Sequence, residues 1–343
     1  MMTKTLFRLL TGLVISVGLF SSALQASTLN DIRDRGYLLC GVGIDDFGFA
    51  TRNKQGVWQG FDVDFCRAVA TAALQDPEAV QFVPLDSQSR FRALANNEID
   101  LLIRTTTWTF ARDVSLKVHF AGTTLHDEQV FLARKKLNLS SIHEVAGSRV
   151  CVTRGTTSLG NLQNFIAANG LALEVMPVET QAGRWQAFLQ QQCDLMTSER
   201  SDLQGGLLGL VDDPERYVIL PEVVSREPLG PVVRDDDPQW FDLVRWVIAS
   251  TLIAEHYQLS RSNIEQLDIS VLAPEARRLV TGEGLPAEAL ALDARWAFRV
   301  IRDVGSYAEI YARNFGRGSG FAMPRGKNAL WSQGGLLYAP PLR

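Results

Sequence analysis

The sequence predicts an α/β fold of two lobes with a mostly helical C-terminal extension. Three observations predict it. Apolar strand-like runs alternate with amphipathic helical patterns from residue 37 to residue 222, this alternation falls into two consecutive units, and the remainder reads as helix. Strand–helix–strand order is that of a parallel sheet with crossover helices, and two such units make two lobes with a cleft between them. The length, 343 residues, suits two domains, and 46% hydrophobic with 21% charged residues is ordinary for a globular chain. No period repeats, so solenoid and collagen-like readings are excluded.

The N-terminal segment stands apart from that fold. Lys4 and Arg8 precede an apolar run, Leu9 to Phe20, and small residues follow up to Ala26. A charged start, a short apolar stretch and a small-residue cut are the parts of a secretory signal, placed here at residues 1–26. The run is too short to span a bilayer comfortably, and no later stretch reaches the ~18 apolar residues that spanning requires. The expected location is the periplasm.

In the first unit, YLLCGVG is a strand, and Gly60 leads a helix over Phe61–Leu74 with Phe61, Phe65, Val69 and Ala72 at helical spacing. AVQFVPL, a helix ending in ALANN, and the buried strand IDLLI complete it. The second unit runs EQVFLAR, SRVCVTR, a helix within GTTSLGNLQNFIAANG, LALEVMPV, the helix GRWQAFLQQQ, CDLMTS and RYVILPE. SREPLGPVVRDDDP, with three prolines, reads as a connector back to the first lobe. Asp237-Pro238 starts a long helix, a second runs from about Ala289 to Asn314, and the tail ALWSQGGLLYAPPLR is apolar enough to pack on a lobe. The expected division is 27–126 with 226–343 as one lobe and 127–225 as the other.

Export decides how the four cysteines are read. An even number in an oxidising compartment suggests disulfides. Proximity along the chain pairs Cys40 with Cys66 and Cys151 with Cys193, but four cysteines allow three pairings and spacing leaves all three open. Zinc is not expected, because no pair has C-x2-4-C spacing and only four His exist.

Ligands of open α/β sheets bind beyond the carboxyl ends of strands. After IDLLI come Arg104, Thr105, Thr106, Thr107, Trp108, Thr109 and, at the end of the run, Arg112. Guanidinium forks and hydroxyls suit a carboxylate. After SRVCVTR, Thr156 and Thr157 open a helix whose free N–H groups favour an anion. After CDLMTS stands Glu199, an acid able to receive an ammonium. Singly, each of these also fits a polar turn. Together they describe a receptor for a zwitterion. The acidic loop Asp45-Asp46-Phe47 adds Asp45 and Phe47 as further candidates, hinting at cationic or neutral ligand side chains.

GFDVDFCRAVA, RFRALANNEIDLLIRTTTWTFARD and GTTSLGN make the chain resemble the polar-amino-acid family of bacterial periplasmic solute-binding proteins. SRVCVTRGTTS, EPLGPVVR, DDDPQWFDLVRW and ALWSQGGLLYAPP resemble its larger, general L-amino-acid-binding subgroup, which feeds ABC transporters. The resemblance covers nearly the whole chain after residue 26. It implies the type II periplasmic-binding fold, two lobes on a two-segment hinge. It also implies Arg112 on the ligand α-carboxylate, Thr107 and Thr157 as its hydroxyl partners, and the Thr105 carbonyl on the ammonium. Glu199 stands where the family has Asp for that ammonium, one methylene longer.

The implied partners are a free L-amino acid and a membrane permease, with the receptor a monomer. Nucleic acid is not expected, as 34 Lys and Arg against 38 Asp and Glu leave a net charge of −4 and no basic block. No cofactor is expected either: no P-loop occurs, and the lone G-x-G at Gly41–Gly43 has Asp46 where a third glycine would stand. The rival readings are a dehydratase on the same fold, with Glu199 as acid or base, and a component presenting ligand to a sensor.

Overall fold

The computed structural model describes residues 27–343, so the expected signal, residues 1–26, lies outside the described residues. Two sheets organise the chain. The first has the order Val80–Pro84, Leu38–Val42, Leu101–Leu102, Val232–Arg234, Val118–Phe120. Its first three strands are parallel, as Leu38↔Val80 and Cys40↔Leu101 record, and Val232–Arg234 enters antiparallel between Leu101–Leu102 and Val118–Phe120. The second has the order Tyr217–Ile219, Leu125–Arg134, Leu195–Glu199, Arg149–Thr153, Glu174–Val178, and Ser225–Leu229 pairs with Leu125–Arg134 beside it.

Leu125–Arg134 and Ser225–Leu229 are the two crossings between the sheets. They run antiparallel, Leu125 opposite Leu229 and Gln129 opposite Ser225. Each sheet is covered on both faces, which is why its central strands are apolar throughout rather than alternating. Phe131, Val150, Val152 and Leu195 fill one face of the second sheet, and Leu132, Cys151, Trp185 and Met196 the other.

The helix Phe61–Leu74 forms where its apolar spacing places it. Gly60 before it has φ 139°, and a Cβ there would run into the carbonyl of Phe49, so only glycine fits. Pro238–His256 is a single helix, with Pro238 in its first turn and the Asp237 side chain accepting the Trp240 N–H at 2.9 Å. The expected continuous helix from Ala289 to Asn314 is instead broken into Trp296–Asp303 and Tyr307–Phe315. Gly305 turns the chain at φ 114°, and Ser306 with Glu309 forms a capping box that starts a new helix.

The C-terminal extension shares the core of the first sheet: Leu330, Leu337 and Leu342 are buried in the same cluster as Leu38, Phe65 and Trp240. It also reaches a crossing strand. The Asn328 side chain accepts from the His126 N–H at 2.7 Å and donates to the His126 carbonyl at 3.0 Å. Lys327 pairs with Glu128, which Arg200 approaches from the second lobe at 3.6 Å. Phe321 lies against helix Arg200–Leu210, in the space a side chain at Gly205 would enter.

Both disulfides close as chain proximity suggests, out of the three pairings left open. Cys40–Cys66 ties the first strand to its crossover helix, with Cα atoms 6.2 Å apart. Cys151–Cys193 joins strand Arg149–Thr153 to the turn just before Leu195–Glu199, with Cα atoms 5.8 Å apart. Among the described residues, none of the helices is long and apolar enough to cross a membrane.

Candidate functional site

The carboxyl ends of the two sheets' strands face one another across a closed cleft. Gln88 donates to Glu179 at 3.0 Å across its mouth. Between the sheets lies a small cavity of about 30 Å³.

The first lobe contributes Arg104, Thr105 and Thr107 from the end of Leu101–Leu102, with Asp46 and Ser87 from neighbouring loops and Arg90 from the start of helix Arg90–Ala95. Thr105 sits at φ 37°; its N–H donates to Asp62 at 3.0 Å and its hydroxyl to Asp46 at 3.2 Å. Thr109 caps helix Phe110–Ser115 by accepting the Arg112 N–H. The Arg112 guanidinium folds back to donate to the Thr107 carbonyl at 2.8 Å. It is half-buried, with Glu199 and Glu227 near enough to favour its charge, although burial lowers its basicity. It stands behind Thr107 rather than in the cavity wall proper.

The second lobe contributes Thr153, Thr156 and Thr157 at the end of Arg149–Thr153, and Ser198 and Glu199 at the end of Leu195–Glu199. Ser198 donates to Glu199 at 2.8 Å. Burial, then Glu227 and Asp202, raise the Glu199 carboxyl to about 7. Asp46 is raised to about 6 by burial and by Asp202. Asp202 itself is met by Arg184 and accepts from Gln181 at 2.7 Å.

Thr107 and Thr157, on opposite lobes, come within 3.5 Å of each other, and both donate to one oxygen of Glu227, at 2.6 and 3.1 Å. Glu227 is on the crossing strand Ser225–Leu229 and 1% exposed. Its other oxygen accepts from Asn161 at 2.9 Å and from Ser225. Four donors surround the carboxylate, which is what keeping a buried acid requires.

Thr105, Thr107, Thr157 and Glu199 therefore gather around one cavity, with Arg112 behind them. Asp45 and Phe47 do not join them. Asp45 is exposed, its φ of 48° turning it outward and the following Asp46 inward. Phe47 packs instead on helix Arg200–Leu210 at Gly205 and Gly209, on the rim of a separate groove. Arg90, Gln181, Arg184, Asp202 and Glu227 are site residues that sequence reasoning missed. For Glu227 the signal was an acid inside a strand-length segment, hidden by the prolines around it.

Burial also raises Asp62 to about 7 and Asp127 to about 6. Ordinary carboxyls titrate near ~4, so between about pH 4 and 7 the folded chain holds protons the unfolded chain has lost. The stability this supplies is complete below about pH 4 and is lost as pH rises through 6 and 7. Calorimetric scans of the ligand-free protein are expected to show the melting temperature falling from about pH 5 to pH 8, and Asp62→Asn is expected to flatten that fall. A melting temperature that climbs across this window contradicts the assignment.

Residues 38–317 match the model of bacterial extracellular solute-binding proteins, family 3. The glutamate/glutamine/aspartate/asparagine-binding protein BztA of Rhodobacter capsulatus is 42% identical over 332 residues, covering 97% of this chain and 98% of its own. The general L-amino acid-binding periplasmic protein AapJ of Rhizobium johnstonii is 40% identical, with both chains fully covered. Among solved structures, a periplasmic binding protein from Brucella ovis with glutathione bound superposes with a TM-score of 0.88 at 40% identity, covering 93% of this chain and all of that one.

Proposed function

Because the chain belongs to family 3 of the bacterial extracellular solute-binding proteins, we propose that it is the exported receptor of an ABC transporter, closing two lobes on a free L-amino acid and presenting it to a membrane permease. Residues 27–126 and 226–343 form one lobe and 127–225 the other. The signal at 1–26 directs the chain to the periplasm, where it acts as a monomer.

The observation that carries this reading is the meeting of Thr107 and Thr157 on a single carboxylate oxygen of Glu227. Two hydroxyls from opposite lobes that can share a carboxylate can close on one brought by a ligand. Arg112 supplies the charge for that α-carboxylate, and Glu199 with the Thr105 carbonyl receives the ammonium. A ligand touching both lobes binds the closed state better and shifts the population towards it.

A thermal-shift screen of the mature protein against the twenty L-amino acids tests the reading. Ligand at 100 times its Kd adds about 2.7 kcal/mol and raises the melting temperature visibly. Protein freed of carried-over ligand that responds to none of them would refute it. The glutathione bound to the Brucella ovis relative offers a second reading, a γ-glutamyl peptide. The small volume between the closed lobes favours the first, since a tripeptide would hold them further apart. The dehydratase reading draws less support, since relatives at 40–42% identity are described as binding proteins.

A further inference from the structure

Helix Arg200–Leu210 carries three glycines, Gly205, Gly206 and Gly209, in 11 residues. Glycine disfavours a helix, because it gives up the most backbone freedom and has no side chain to pack. None of the three has positive φ, so conformation does not call for them. Close approach does. A Cβ at Gly206 would lie 2.0 Å from the ring of Trp185, inside the same lobe. Gly205 and Gly209, four residues apart on one face, open instead towards the other lobe. A Cβ at Gly209 would lie 2.1 Å from the Phe47 ring, and one at Gly205 2.9 Å from the Phe47 Cβ.

Phe47 belongs to the first lobe, in the loop after strand Leu38–Val42, and that loop is held firmly. Asp46 and Ala50 exchange both backbone hydrogen bonds, at 2.9 and 2.7 Å. Gly48, at φ 83°, lies so close to Phe321 that a Cβ there would stand 2.6 Å from its ring. Neighbours on the loop serve opposite sides: Asp46 lines the cavity and accepts from Thr105, whereas Phe47 is not in the cavity wall. The helix is divided in the same way. It follows Glu199 directly and brings Asp202 to the cavity, while its far end carries the two glycines that receive Phe47.

We propose that Phe47, seated in the notch at Gly205 and Gly209, is a latch between the lobes that holds them closed with or without ligand. The assignment rests on the two-lobe receptor reading above and adds a control of closure outside the ligand cavity. The ring and the helix remove apolar surface from water only when the lobes meet, so the contact favours the closed population. The bond of Gln88 to Glu179 across the mouth joins exposed polar groups that water serves nearly as well. Apparent affinity scales with the fraction of molecules in the closed form. Since Phe47 stands outside the cavity wall, its removal lowers the affinity for every ligand by one factor and leaves their order unchanged. Phe47 is thus a positioning residue for closure and not a ligand contact.

Titration calorimetry with L-glutamine and L-alanine, beside small-angle X-ray scattering of the ligand-free proteins, tests this on the wild type, Phe47→Ala, Gly209→Ala and the double variant. Each single variant is expected to weaken both amino acids by the same factor, at least about fivefold, and to scatter with a larger radius of gyration. Alanine favours a helix over glycine, so affinity lost in Gly209→Ala is not lost folding. Once Phe47→Ala has emptied the notch, adding Gly209→Ala is expected to cost no further affinity. Unchanged scattering in Phe47→Ala overturns the proposal, as does an affinity within about twofold of wild type. A loss confined to one amino acid makes Phe47 a ligand contact and overturns it, and so do single losses that multiply in the double variant. A wild type that binds no amino acid removes the receptor reading, and the scattering curves alone then decide the latch.

Discussion

Replacing Arg112 by alanine is expected to weaken L-amino-acid binding by about 30- to 4,000-fold, because truncating one partner of a desolvated charge pair costs roughly 2–5 kcal/mol. The guanidinium is already positioned: the cap at Thr109 sets the helix and the bond to the Thr107 carbonyl sets the side chain. Little ordering is left for binding to supply, so nearly all of the interaction is lost with the side chain. Thr107 and Thr157 would still offer hydroxyls to a carboxylate, but no positive charge. Since Arg112 is only half-buried, the ligand-free variant should melt close to the wild type. Titration calorimetry beside a melting curve separates the two effects, and an affinity within about threefold of wild type removes Arg112 from the site.

The Cys151→Ser, Cys193→Ser double variant is expected to lose about 4 kcal/mol of stability. The bond closes 42 residues of chain, and loop-closure entropy scales with the logarithm of that length. The 26-residue loop of Cys40–Cys66 gives about 3.5 kcal/mol by the same reasoning. The second-lobe pair has a further effect, since Cys151 lies on the strand leading to Thr157 and Cys193 just before the strand ending at Glu199. Loosening it frees two of the ligand's supports relative to each other. Urea unfolding of the oxidised wild type and the double variant measures the loss, and a difference below about 1 kcal/mol contradicts it.

Much of this architecture was legible because local and global preferences agree. Phe61–Leu74 has helical spacing, Asp237-Pro238 is a helix start in any context, and the threonine-rich run after IDLLI falls at a strand end by simple order. Other features depended on distance along the chain. Glu227 is buried because hydroxyls 120 and 70 residues away come to it, and no local pattern encodes that. The choice between Asp45 and Asp46 turned on one backbone angle. The break at Gly305 was written locally, in a glycine followed by a capping box, but apolar spacing continues across it and outweighed the signal. Arg90 opens a short helix, and only the approach of the Gly155 loop from the second sheet, which nothing local encodes, encloses it.

The grip of the C-terminal segment on the crossing strand changes what kind of joint this is. Two covalent ligaments side by side let one body both bend and twist against the other. Asn328 on His126 and Lys327 on Glu128 brace one of those ligaments, and Phe321 against helix Arg200–Leu210 adds a third attachment away from them. Three attachments resist torsion far better than two. The jaws are then guided along a single arc, so Thr107 and Thr157 return to the same facing position at every closure.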